Sequence, residues 1–108
     1  MEYIDNKDIK NFANDGAILC RGIFCDWIDK LRVGVDKLIA NPSVRERSYV
    51  PEDGTAPFFQ DLVNWNRIPE FKEFIFNSKL GYYASLLMNS KSSRFFHDHV
   101  LVKEPGSS

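Results

Sequence analysis

Apolar residues fall along this chain in two patterns, a rhythm of three to four residues and short dense runs. The rhythm is clearest at Phe24, Trp27, Ile28, Leu31, Val35 and Leu38, while Asp26, Asp29, Lys30, Arg32, Asp36 and Lys37 take the other positions. That spacing predicts a helix over 24–40, stopped by Asn41-Pro42. A shorter helix is predicted over 5–14, capped by Asp5, striped by Ile9 and Phe12, and broken at Asp15-Gly16. Pro69 suits the first turn of a third helix, with Phe71, Phe74 and Ile75 as its apolar side. Ser78 can cap a fourth, whose stripe is Leu80, Tyr83, Ala84, Leu87 and Met88 and which closes near Asn89. The short apolar run Ala17–Cys20, ended by Gly22, predicts a strand, and so does Phe95–Lys103, dense in aromatic and β-branched residues and ended by Pro105-Gly106.

Residues 42–64 follow neither pattern. They hold Pro42, Pro51, Gly54, Pro57 and the charged run Arg45-Glu46-Arg47, and they read as a long irregular connection of the kind that carries function. Its aromatic-rich end, Phe58 to Trp65, is read as stapling this connection to the core in preference to contacting a ligand.

Composition narrows the classes. A length of 108 residues, 44% of them hydrophobic and 27% charged, supports one ordered domain with one small core. Lys and Arg total 14 against 15 Asp and Glu, so there is no basic footprint for nucleic acid. No apolar run approaches the roughly 20 residues of a membrane helix, and Met1-Glu2-Tyr3-Ile4-Asp5 is unlike a signal peptide. Cys20 and Cys25 have no redox or zinc-ligand spacing and read as two buried free thiols. With no disulfide framework and no secretion signal, the expected location is the cytoplasm.

The candidate chemistry lies in the last strand. Alternation puts Phe95, His97, His99, Leu101 and Lys103 on one face and Phe96, Asp98, Val100 and Val102 on the other. If the first face turns inward, Lys103 needs an anion, from the protein or from a ligand. His97 and His99 have three readings: an H-x-H metal pair, which lacks an obvious third ligand; polar groups lining a pocket; or hydrogen-bonded structural histidines. Asp98 faces away from them, so His-Asp is not a catalytic dyad, and its expected partner is a backbone amide or a neighbouring side chain.

Arg94-Phe95-Phe96-His97-Asp98-His99-Val100-Leu101-Val102-Lys103-Glu104-Pro105-Gly106 resembles a segment of the phytanoyl-CoA dioxygenase family. Asp15-Gly16 and Gly22-Ile23-Phe24, the helix from Trp27 to Leu38, Phe58-Phe59-Gln60-Asp61 with Trp65, and Ile68-Pro69-Glu70-Phe71 with Ser78 resemble the family's earlier landmarks in the same order. The resemblance implies a non-haem Fe(II)- and 2-oxoglutarate-dependent oxygenase built on a double-stranded β-helix. A complete enzyme would hydroxylate a small organic or acyl substrate, with substrate choice partly in the 42–64 connection. It also implies that Lys103 contacts 2-oxoglutarate and that His99 lines the same pocket. The family's His-x-Asp pair, distal His and second 2-oxoglutarate anchor fall beyond Ser108, so no catalytic or metal-ligating residue is carried over.

The expected fold is therefore α+β. It would be a helix-rich N-terminal portion of a jelly-roll oxygenase, one incomplete domain over 1–108 that ends after the first main barrel strand. Helices Phe24–Ala40 and Leu80–Met88 would lie outside the barrel. This chain alone is expected to be inactive and to bind neither Fe(II) nor 2-oxoglutarate tightly. The alternative is a small helical interaction module. Its terminal strand, with little to pair with, would seek another strand and promote self-association.

Overall fold

The computed structural model describes residues 3–106; Met1, Glu2, Ser107 and Ser108, on which the readings of the two ends rest, lie outside them. The described residues form an α+β fold of four α-helices and a two-stranded antiparallel sheet.

Helix α1 spans Asn6–Asp15. Asp5 and Asp8 form its capping box: the Asp5 carboxylate accepts the Asp8 amide at 2.9 Å, and Asp8 accepts the Asp5 amide at 3.1 Å. Gly16 ends it at φ 75°, a left-handed conformation in which a side chain would be strained. The strand expected at Ala17–Cys20 is absent: these residues have no partner strand, and Leu19 is 70% exposed. Cys25 is exposed and Cys20 only half-buried, which corrects the reading of both as buried thiols. Burial pushes the Cys20 thiol up, and the Asp8 carboxylate adds to the effect.

Helix α2 spans Ile28–Ala40, preceded by a single 3-10 turn at Cys25–Trp27, so the predicted helix from Phe24 is regular only from Ile28. Helix α3 spans Pro69–Asn77 with Pro69 in its first turn, and α4 spans Leu80–Leu87. The Ser78 hydroxyl donates to the Phe74 carbonyl at the end of α3 and accepts the Leu80 amide at the start of α4, so one side chain serves both helices. Asn89, at φ 52°, closes α4 where expected.

Helices α2 and α3 meet at Gly34. A β-carbon there would lie 2.7 Å from the buried Phe71 ring and 3.1 Å from the Glu70 β-carbon, so the missing side chain sets how closely the helices approach. Lys30–Glu73 and Lys37–Glu70 ion pairs bracket this crossing. The second of them, with the Glu70 backbone amide, holds the Glu70 carboxyl below its usual range.

Strand β1, Phe58–Leu62, lies within the stretch read as irregular and aromatic-rich, and strand β2 is His99–Lys103. They pair from Phe58↔Lys103 to Leu62↔His99. The terminal strand therefore has a partner, contrary to expectation, and it starts at His99 and not at Phe95. The core is Leu38, Phe59, Ile68 and Phe71, with Leu31, Val35, Trp65, Val100 and Val102 packed against it. Phe59 and Trp65 thus staple the connection to the core as read from the sequence. The chain is extended, with a radius of gyration of 16.1 Å against about 13 Å for a compact chain of this length. One side of the sheet carries that small core and the other carries none.

Candidate functional site

Pairing of β1 with β2 creates an open sheet face. Register places Phe58 opposite Lys103, Gln60 opposite Leu101 and Leu62 opposite His99. Alternation sends all six side chains to one side and leaves Phe59, Asp61, Val100 and Val102 on the core side. The predicted alternation of the last strand holds over 99–103, but the sense is reversed: Val100 and Val102 face the core, and His99, Leu101 and Lys103 are exposed. The reason is chemical. Burying two branched hydrophobes is favourable, whereas burying an unpaired ammonium is costly.

Lys103 has no acidic partner among the described residues. Its ammonium stands on a face whose neighbours are the aromatic Phe58 directly opposite and Leu101 two residues back. His99 shares the face at its other end. His97 precedes the strand, is exposed, and stacks edge-on against Phe96 with ring centres 4.5 Å apart. Only His99 of the two histidines therefore lies within the strand. Among the described residues, no three His, Cys, Asp or Glu side chains gather to hold a metal ion.

Behind one end of this face lies a polar knot that the sequence reading saw only in part. Asp98 accepts the Asn64 amide at 2.9 Å and the Trp65 amide at 2.8 Å, so of its two expected kinds of partner, backbone amide and neighbouring side chain, it takes the first. Its carbonyl accepts the Val63 amide at 3.0 Å. Val63 is held at φ 56°, a left-handed conformation that a β-branched residue rarely adopts. The Arg45 guanidinium donates to the carbonyls of Leu62, at 3.0 Å, and Val63, at 2.7 Å. Arg67 joins the Asn64 side chain, at 2.8 Å, to the Asn41 carbonyl, at 2.7 Å.

Asp61 and Asn64 are fully buried. The Asp61 carboxylate accepts the Ser43 amide at 2.7 Å, the Ser43 hydroxyl at 2.5 Å and the Leu62 amide at 2.7 Å. Burial pushes the Asp61 carboxyl up, but the hydrogen bonds from Ser43, Leu62 and Asn64 together outweigh it and hold the group below the usual carboxylate range. The sequence gives neither residue a buried role, although Asp61 lies in the Phe58-Phe59-Gln60-Asp61 run. The signal was there: once Phe58–Leu62 is a strand, its alternation places a carboxylate at a core position, and such a group must be hydrogen-bonded.

A cleft of about 500 Å³ lies elsewhere, between the 3-10 turn and the α3–α4 junction, lined by Trp27, Asn77, Lys79 and Tyr83 among others. Cys25, Trp27, Ser78 and Tyr83, read from the sequence as thiol, helix stripe and helix cap, line it, but none of the candidate site residues His97, Asp98, His99 or Lys103 does. No helix among the described residues is long and apolar enough to cross a membrane. Comparison of the chain with known protein families, curated proteins and solved structures finds no match.

Proposed function

We propose that the open face of β1 and β2 is a carboxylate-anchoring surface. Lys103 binds one carboxylate of 2-oxoglutarate, and His99 lines the same face. The two strands belong to the double-stranded β-helix of an oxygenase of the phytanoyl-CoA dioxygenase type. The observation that carries this reading is the Lys103 ammonium, which has no acidic partner among the described residues and lies in register with Phe58 on a sheet face that is exposed along β2 and half-buried along β1. The described residues do not fit an iron site, since no three ligating side chains meet. Iron chemistry is therefore not assigned to them, and their part is to hold and orient the cosubstrate.

Magnitude sets what this face achieves alone. An exposed ion pair contributes at most about 1 kcal/mol, whereas a dissociation constant of 1 mM corresponds to about 4.1 kcal/mol. Binding of 2-oxoglutarate to this chain is therefore expected to be weaker than millimolar. Amide resonances of His99–Lys103 should shift with 2-oxoglutarate and not with chloride of equal ionic strength, and Lys103→Met should abolish the effect. Shifts that persist in Lys103→Met, or that fall elsewhere, would overturn the reading.

Incubated with Fe(II), 2-oxoglutarate and O₂, the 108-residue chain is expected to release no succinate above a protein-free control. Turnover well above that control would refute the assignment of iron chemistry outside the described residues.

A second reading rests on a different observation, the uncovered outer edge of β2. It is a small interaction module whose edge takes another strand.

A further inference from the structure

The backbone of β2 offers a specific pattern of unpaired groups. In antiparallel pairing, successive residues point their N–H and C=O alternately toward and away from the neighbouring strand. Phe58 exchanges both backbone bonds with Tyr49, at 2.9 Å each, and the Gln60 carbonyl accepts the Arg47 amide at 3.0 Å. These β1 residues therefore point away from β2. On the β2 side, the Val63 amide bonds the Asp98 carbonyl, so Asp98, Val100 and Val102 point toward β1. His99, Leu101 and Lys103 are left pointing outward, and among the described residues no backbone hydrogen bond reaches them.

Three outward residues at alternate positions, centred on Leu101, are complementary to themselves. We infer that β2 pairs antiparallel with β2 of a second copy about a two-fold axis at Leu101, joining two sheets into one of four strands. In this register Leu101 faces Leu101 of the second copy, and each His99 faces the other copy's Lys103. All six outward donors and acceptors then bond. Sliding the strands by one step either way, with the core sides still aligned, leaves only four of them bonded between the two β2 strands. The apolar centre suits the axis: Leu101 is 53% exposed in the single chain, and no ionisable side chain lies opposite itself. Glu104 falls opposite the Asp98 of the second copy, but Asp98 already receives the Asn64 and Trp65 amides. The inference rests on the interaction-module reading and not on the oxygenase reading, in which a further strand of the barrel would take this edge.

The full chain should sediment as a dimer at micromolar concentration. Leu101→Lys sets two ammoniums face to face across the axis and should raise the dissociation constant at least about tenfold. Leu101→Pro removes an outward N–H and none of the bonds to β1, and it should also weaken the dimer. With Cys20→Ser and Cys25→Ser in the background, Leu101→Cys should form a disulfide-linked dimer, because facing hydrogen-bonded residues have Cα atoms about 5.5 Å apart. Lys103→Cys, which faces His99 and not itself, should not. A wild-type monomer, a dimer indifferent to both Leu101→Lys and Leu101→Pro, or equal crosslinking at positions 101 and 103 would overturn the inference. Hydrogen exchange separates the two levels. Fast exchange of the 99, 101 and 103 amides in a monomer removes the second copy but leaves the edge open, whereas slow exchange in a monomer removes the interaction-module reading as well.

Discussion

Asp61→Ala is expected to lower the free energy of unfolding by about 3 kcal/mol, a large share of the 5–15 kcal/mol typical of a small domain. The carboxylate is fully buried and is the acceptor for the Ser43 amide, the Ser43 hydroxyl and the Leu62 amide. Alanine leaves those donors facing a void. Each stranded buried donor costs about 1–3 kcal/mol, and the hydroxyl can turn away to reduce the sum. Chemical denaturation of the purified chain measures the loss; a change below about 0.5 kcal/mol, the scale of ordinary surface substitutions, would show that the knot does not hold the connection to the sheet.

Acidity gives the same residue a second signature. The folded Asp61 carboxyl lies below its usual range, while the unfolded one titrates near 3.9. Below the usual range the unfolded chain binds more protons than the folded one, so stability rises with pH in that window. The contribution is therefore complete above about pH 4 and is lost as pH falls through the depressed folded value. The stability gap between wild type and Asp61→Asn should be widest near neutrality and should narrow on acidification. A gap that stays constant down to acid unfolding would contradict a charged Asp61 in the folded state.

The crossing of α2 and α3 carries the second large effect. Gly34→Leu must place a side chain where even a β-carbon would lie 2.7 Å from the Phe71 ring. Overpacking of this kind costs about 1–3 kcal/mol, partly offset by the gain of about 1 kcal/mol from replacing glycine within a helix. Phe71→Ala empties the same space and is expected to cost about 3–5 kcal/mol. Combined, the two changes should cost less than the sum of the single losses by at least about 1 kcal/mol, because the introduced leucine enters the space the ring vacates. Thermal or denaturant unfolding of the four chains measures the cycle, and simple additivity would mean that the contact does not set the helix separation.

Local chemistry made the helices legible. Asp5, Pro69, Ser78 and Asn89 mark helix ends through interactions with their own neighbours in sequence, and the stripe of α2 needs only its period to be seen. Strand β1 was hidden because Phe58-Phe59-Gln60-Asp61-Leu62 has a charged residue where alternation calls for an apolar one. Only the fold shows that Ser43 and the Leu62 amide satisfy it. Ala17–Cys20 failed in the opposite way: its residues suit a strand, but a strand exists only where another chain segment lies beside it. The same logic covers the candidate site. Lys103 and His99 share a face by period alone, but which face turns to solvent depends on where Leu38, Phe59 and Phe71 sit, and those contacts span most of the chain.

Residues 63–98, including α3 and α4, intervene between the paired strands. The ladder therefore closes a loop whose entropy must be met before its first hydrogen bond forms. The two helices depend on bonds between residues a few positions apart and shorten the path between the strand ends when they form. Asp98 then meets the Asn64 and Trp65 amides at the neck of that loop, where one carboxylate stops the ladder from unzipping at its inner end. The neck sets the kinetics of the sheet: weakening it would act mainly on the rate at which the two strands part.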